Sequence, residues 1–81
     1  MIEITVKIHP GFQKLLSPGM TGKRIPISIP ENSTVEFLLT SQLEFPTHVP
    51  NLLIVNGIHA KRDQVLNSLD RVAIFLPMSG G

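Results

Sequence analysis

Residues able to carry chemistry are few in this chain and poorly grouped until its last two positions. His9, His48 and His59 are widely spaced, with no HxxxH or comparable pair to build a metal shell. Glu3, Glu31, Glu36, Glu44, Asp63 and Asp70 do not cluster, which leaves no carboxylate pair for acid and base work. The serines lack a Gly-x-Ser-x-Gly elbow, and no Gly-rich loop follows a strand and opens a helix to hold phosphate. The absence of cysteine removes disulfides, thiolate metal sites and Cys nucleophiles together. An enzyme working alone needs at least one such constellation. The sequence therefore predicts a chain that is not an enzyme by itself and binds no metal or cofactor of its own.

Gly80-Gly81 is what remains. Glycine makes up about 7% of average sequence, so a pair at one given end arises by chance in only ~0.5% of chains. A frayed end and the remnant of a cut tag are the plain alternatives. Two residues without a Cβ can pass a narrow channel and take backbone angles closed to others. An unhindered terminal carboxylate is ionised at neutral pH and is a competent nucleophile toward the α-phosphate of ATP. In that reading Gly81 is the reacting residue, and Gly80, Ser79, Met78 and Pro77 form the tail that enters a partner's channel. The partner supplies ATP, Mg²⁺ and the phosphate-binding groups.

A tail of this kind needs a body to present it. The chain has 81 residues, enough for one small domain, with 42% apolar and 16% charged residues, a globular balance. A net charge of +1 builds no field suited to nucleic acid. The opening residues read as a strand rather than a signal segment, and no apolar stretch nears the roughly 20 residues that span a bilayer. Small secreted domains lean on disulfides, so a chain without cysteine is expected in the cytoplasm.

Ile2, Ile4, Val6 and Ile8 alternate with Glu3, Thr5, Lys7 and His9, the period of a half-buried strand that ends at Pro10-Gly11. Phe12, Leu15 and Leu16 are anchors for the loop that follows. Ile25, Ile27 and Ile29 form a second strand, and Pro26 makes it an edge. Ser33-Thr34-Val35-Glu36 reads as a capping box. It opens a helix of about three turns whose stripe is Val35, Leu38, Leu39 and Leu43 and which Pro46 stops. Leu52-Leu53-Ile54-Val55 reads as a strand buried on both sides, Asn56-Gly57 as a hairpin turn, and Ile58-His59-Ala60 as the return. Asn67-Ser68-Leu69-Asp70 turns into the last strand, 71–76. The expected architecture is α+β: a mixed sheet of four to five strands with one main helix packed on one face. Placing the first and last strands side by side at its centre gives the β-grasp, ubiquitin-like arrangement. The expected division is a domain over 1–76 and a flexible diglycine tail over 77–81.

Leu53-Ile54-Val55-Asn56-Gly57, then Leu66 to Asp70, then Val72 to Phe75 and Leu76-Pro77-Met78-Ser79-Gly80-Gly81 resemble the MoaD/ThiS family of ubiquitin-like sulfur carriers. The Phe-x-Pro-x-Ser-Gly-Gly ending is closer to MoaD, the small subunit of molybdopterin synthase. The resemblance implies that an adenylating enzyme of the MoeB/ThiF type activates Gly81 and that sulfuration turns its carboxylate into a thiocarboxylate. It implies sulfur donation inside a synthase whose large subunit is of the MoaE type, in molybdopterin (molybdenum or tungsten cofactor) biosynthesis. A ThiS-like role in thiamine thiazole synthesis, or conjugation through Gly81 as a small protein modifier, are the alternatives. Two departures stand out: Leu76 and Met78 replace a Pro and a Val of the usual tail, and Ser68-Leu69-Asp70 replaces Asp-Gly-Asp.

Three further residues are candidates for partner docking. Phe75, the last aromatic before the tail, reads first as core and otherwise as a contact. Arg71 and Arg62 either meet acidic patches on the adenylating enzyme or are solvated charges. An edge strand broken by Pro26 pairs poorly with another edge, so a monomer is expected for the free chain.

Overall fold

Strict alternation along the first eight residues builds β1 (Ile2–Ile8), and its inward row, Ile4, Val6 and Ile8, is fully buried. β2 (Arg24–Ile29) pairs with it antiparallel, Val6 against Ile25 and Ile4 against Ile27, so both aliphatic rows share one face. In this computed structural model residues 1–16, 19–46 and 50–76 are described. The remaining strands are β3 (Leu52–Val55), β4 (Ile58–His59) and β5 (Arg71–Phe75), in the sheet order β2-β1-β5-β3-β4. β5 runs parallel to β1 and antiparallel to β3, at the centre of the sheet. β2 is an edge, as Pro26 requires. Asn56 and Gly57 both take positive φ, 52° and 84°, the geometry that a two-residue hairpin turn demands.

The helix α1 (Val35–Phe37) runs into a wider turn, Leu38–Gln42, and buries Val35, Leu38, Leu39 and Leu43 against the sheet. Phe12 and Phe45 meet edge to face at 4.9 Å and 73°, joining the loop after β1 to the end of the helix. Phe12 thus does serve as a loop anchor.

Three local expectations are corrected. The helix cap is Thr34, whose Oγ1 accepts from the Phe37 N–H at 3.1 Å, and not Ser33, whose hydroxyl donates to the Pro30 carbonyl at 2.6 Å. The cause is distant in sequence. Residues 61–66 lie along the helix start, where the Gln64 and Arg62 carbonyls accept from the Val35 and Glu36 N–H groups at 2.9 and 2.8 Å. These carbonyls take up two of the donors a helix start leaves unpaired, and the Glu36 carboxylate turns to Arg62 instead. The helix is also shorter than three turns. Leu43 N–H reaches back five residues to the Leu38 carbonyl at 3.0 Å, and Phe45 N–H closes on Leu39 at 2.8 Å, ending it before Pro46. Lastly, β3 is buried on one side only: Leu53 and Val55 are core, whereas Leu52 and Ile54 are half-buried on the face opposite the helix.

Candidate functional site

The strand period that buries one face of the sheet necessarily turns the other outward, and no helix among the described residues covers it. Arg71, Ala73 and Phe75 alternate with the buried Val72 and Ile74, and Ile54 pairs beside Ala73. Together they line an open groove of about 330 Å³, with Ile54, Ala73 and Phe75 as floor and Arg24, Arg71 and Asn56 along its sides. Arg24 comes from the far edge strand and lies across β1, donating to Thr5 Oγ1 at 3.1 Å. Among the charged residues that alternate onto this face, Lys7, Arg24 and Arg71 are cations and Glu3 is an acid. The surface therefore suits a partner with an apolar ridge and carboxylates beside it.

One end of the groove is fixed by a polar clamp. Asn56 Nδ2 donates to Asp70 Oδ1 at 2.8 Å, Asp70 Oδ2 accepts from the Asn67 N–H at 2.8 Å, and Asn56 Oδ1 accepts from the Arg71 N–H at 2.9 Å. Asp70 is buried with all of these bonds made. The clamp ties the β3–β4 turn to the start of β5 and so sets where the Arg71 side chain begins.

The other end leads to the tail. Phe75 is 37% exposed and Leu76 is 39% exposed, so Phe75 belongs to the open face rather than the core. Pro77, Met78, Ser79, Gly80 and Gly81, together with His48, lie outside the described residues. Phe75 and Arg71 share the groove. Arg62 is apart from them, paired with Glu36 at 2.7 Å beside the helix start, with the two side chains 39% and 47% exposed. At that exposure the pair contributes a few tenths of a kcal/mol at most, by the general behaviour of surface ion pairs. Arg24, Ile54 and Asn56 were not among the docking candidates read from the sequence. The signal for Arg24 was its phase: it heads β2 out of step with Ile25, Ile27 and Ile29, which puts it opposite the core. Among the described residues no group of three or more His, Asp or Glu is placed to hold a metal ion. No helix among them is long and apolar enough to cross a membrane.

A mixed five-stranded sheet with a parallel central pair and one helix across a single face defines the β-grasp, ubiquitin-like class. The chain belongs to the ThiS family, whose sequence profile matches residues 20–81, more than half of it. Among solved structures it is similar to a Pyrococcus furiosus protein described provisionally as molybdopterin converting factor, subunit 1. That match has a TM-score of 0.76 and 24% identity and covers 96% of this chain and 100% of that one. It is also similar to SAMP1 from Haloferax volcanii, with a TM-score of 0.70, 15% identity and coverage of 98% and 99%. A crystal structure of H. volcanii small archaeal modifier protein 1 matches with a TM-score of 0.69 at 13% identity, covering 96% and 100%. At these identities the structural matches establish the fold. No curated protein sequence matches the chain.

Proposed function

We propose that this protein is a sulfur carrier whose working group is the carboxylate of Gly81. A carboxylate oxygen attacks the α-phosphate of ATP and pyrophosphate leaves, giving an acyl adenylate. A hydrosulfide-level sulfur nucleophile then displaces AMP and leaves a terminal thiocarboxylate, –C(O)S⁻. ATP, Mg²⁺ and the phosphate-binding groups belong to an adenylating enzyme of the MoeB/ThiF type, so the chain itself needs no cofactor and is not an enzyme alone. It becomes the small subunit of a sulfur-transferring synthase with a MoaE-type large subunit, acting in molybdopterin biosynthesis in the cytoplasm. The free chain is a monomer.

The observation that carries this reading is the sequence Phe75-Leu76-Pro77-Met78-Ser79-Gly80-Gly81 issuing from the central strand of a ThiS-family β-grasp. The groove beside Phe75 and Arg71 gives the partner a surface next to the tail. Two neighbouring readings have support of their own. The family match favours a ThiS-like role in thiazole synthesis, and the likeness to a small archaeal modifier favours conjugation of the same acyl adenylate to a lysine.

The test is to isolate the protein from its native cells, treat it with a thiol alkylator and record the intact mass. The chain has no cysteine, so a single fast adduct mapping to Gly81 is the expected result. No adduct in sulfur-replete cells, with the adenylating partner present, sinks the carrier reading. Higher-mass conjugates through Gly81 in its place establish the modifier.

A further inference from the structure

The turn after β1 meets the end of β5 at three points, all at the root of the tail. The His9 N–H donates to the Ile74 carbonyl at 2.8 Å. The His9 ring meets the Phe75 ring edge-on, with centroids 6.4 Å apart and planes at 64°. Gly11 lies against Leu76: a Cβ added there would collide with Leu76 Cδ1 and stand 3.2 Å from its Cγ and 3.0 Å from His9 Nδ1. Among the described residues the glycines with positive φ are Gly19, Gly22 and Gly57, and Gly11 is not one of them. A Cβ at this position would therefore have to displace the Leu76 side chain, whereas no unusual backbone angle is involved. The Gly11 N–H also donates to His9 Nδ1 at 2.9 Å, which holds the imidazole in the orientation that reaches Phe75.

We propose that His9 and Gly11 form a cradle that fixes the point and direction at which the tail leaves the sheet. This inference rests on the carrier reading above and names the positioning residues for its carboxylate. With Leu76 held, Gly81 has only residues 77–81 with which to reach a partner's active site, at most ~17 Å of extended chain. A root with one course presents the carboxylate with less orientational freedom to lose on entering the channel. His9 and Gly11 touch no reacting atom. They act through Phe75 and Leu76.

The experiment compares the full chain with Gly11→Ala, Leu76→Ala, the double variant and Thr34→Ala. The last perturbs the helix start, far from the root. ¹⁵N heteronuclear NOE values at the Leu76 amide report order at the root. Alkylation with intact mass, in native cells lacking their own copy, reports loading of Gly81. The expected NOE at Leu76 falls by at least half in Gly11→Ala and in Leu76→Ala. The double variant falls no further than the worse single one, because both remove the same contact. Loading drops at least threefold in Gly11→Ala, whereas Thr34→Ala leaves both readings in place. A Leu76 NOE unchanged by Gly11→Ala overturns the cradle, and a fallen NOE with undiminished loading overturns its role in delivery. A wild-type chain that never loads overturns the carrier reading and with it delivery by the cradle, while the NOE series still decides the anchor.

Discussion

Consecutive residues of β5 have opposite surroundings. Val72 and Ile74 are fully buried among Val6, Ile8, Leu39 and the rest of the core, whereas Arg71, Ala73 and Phe75 line an open groove. The strand period of two makes this division unavoidable once a helix covers one face only. One face holds the chain folded, and the other is open to solvent. The ends of the central strand differ as well: one is clamped by Asn56 and Asp70, the other cradled by His9 and Gly11.

Truncation at neighbouring positions tests that division most severely. Ile74→Ala removes a fully buried side chain and is expected to lower unfolding free energy by about 3 kcal/mol, the usual cost of emptying such a core site. Phe75→Ala, one residue on, is expected to cost less than about 1 kcal/mol and to weaken association with the adenylating enzyme instead. Urea unfolding and titration with that enzyme separate the two. Equal destabilisation by both variants would break the distinction between the faces.

The clamp comes next in size. Asp70→Ala removes both acceptors that serve Asn56 Nδ2 and the Asn67 N–H, and its expected cost is about 2 kcal/mol from hydrogen-bond donors left without partners. Asp70→Asn retains one acceptor oxygen and should fall between it and the wild type. A Leu76 amide undisturbed in either variant would show that the two ends of β5 are held independently.

Thr34→Ala is expected to cost about 1 kcal/mol, the usual value for losing an N-cap oxygen. Glu36→Ala should cost only a few tenths of a kcal/mol, because the Glu36 carboxylate pairs with the exposed Arg62 and caps no backbone N–H. If Glu36→Ala cost as much as Thr34→Ala, the capping box centred on Ser33 would be restored and the cap seen here discarded.

What could be read from the sequence was whatever depends on nearby residues. The alternation of Ile4, Val6 and Ile8 gave a buried row, Pro26 fell on an edge, and Asn56-Gly57 made its turn. The helix start was misjudged by one residue because Gln64 and Arg62, almost thirty positions away, take the N–H groups that a local cap would serve. The wide turn at Leu38–Gln42 leaves no mark in an apolar stripe that fits either winding. For the candidate site, Phe75 and Arg71 were named but their shared groove was not. Ile54 sits there because β3 pairs with β5 and Arg24 because β2 and β5 flank β1, and neither pairing follows from single-strand patterns. The tail was prominent as sequence because it is local, whereas the cradle of Gly11 against Leu76 joins residues at opposite ends of the chain.

The smallest effect tests the turn where the two faces meet before β5. Leu69 holds φ at 70° with its side chain 78% exposed, at the place where the resembled family carries glycine. Its N–H donates to the Glu3 carbonyl at 2.6 Å, which pins the turn to β1. A left-handed angle strains any residue with a Cβ by roughly 1–2 kcal/mol, so Leu69→Gly relieves strain in the folded chain. The same change frees the unfolded chain and returns about 0.4–1 kcal/mol of that gain. Leu69→Ala keeps the Cβ and the strain and loses only an exposed side chain. The Gly variant should therefore be more stable than the Ala variant by about 0.5 kcal/mol in paired urea titrations, with loading of Gly81 equal in both. Identical midpoints would mean that residue 69 does not hold a left-handed angle in solution. In that case the hydrogen bond to Glu3, and with it the alignment of β5 along β1 at this end, would need another cause.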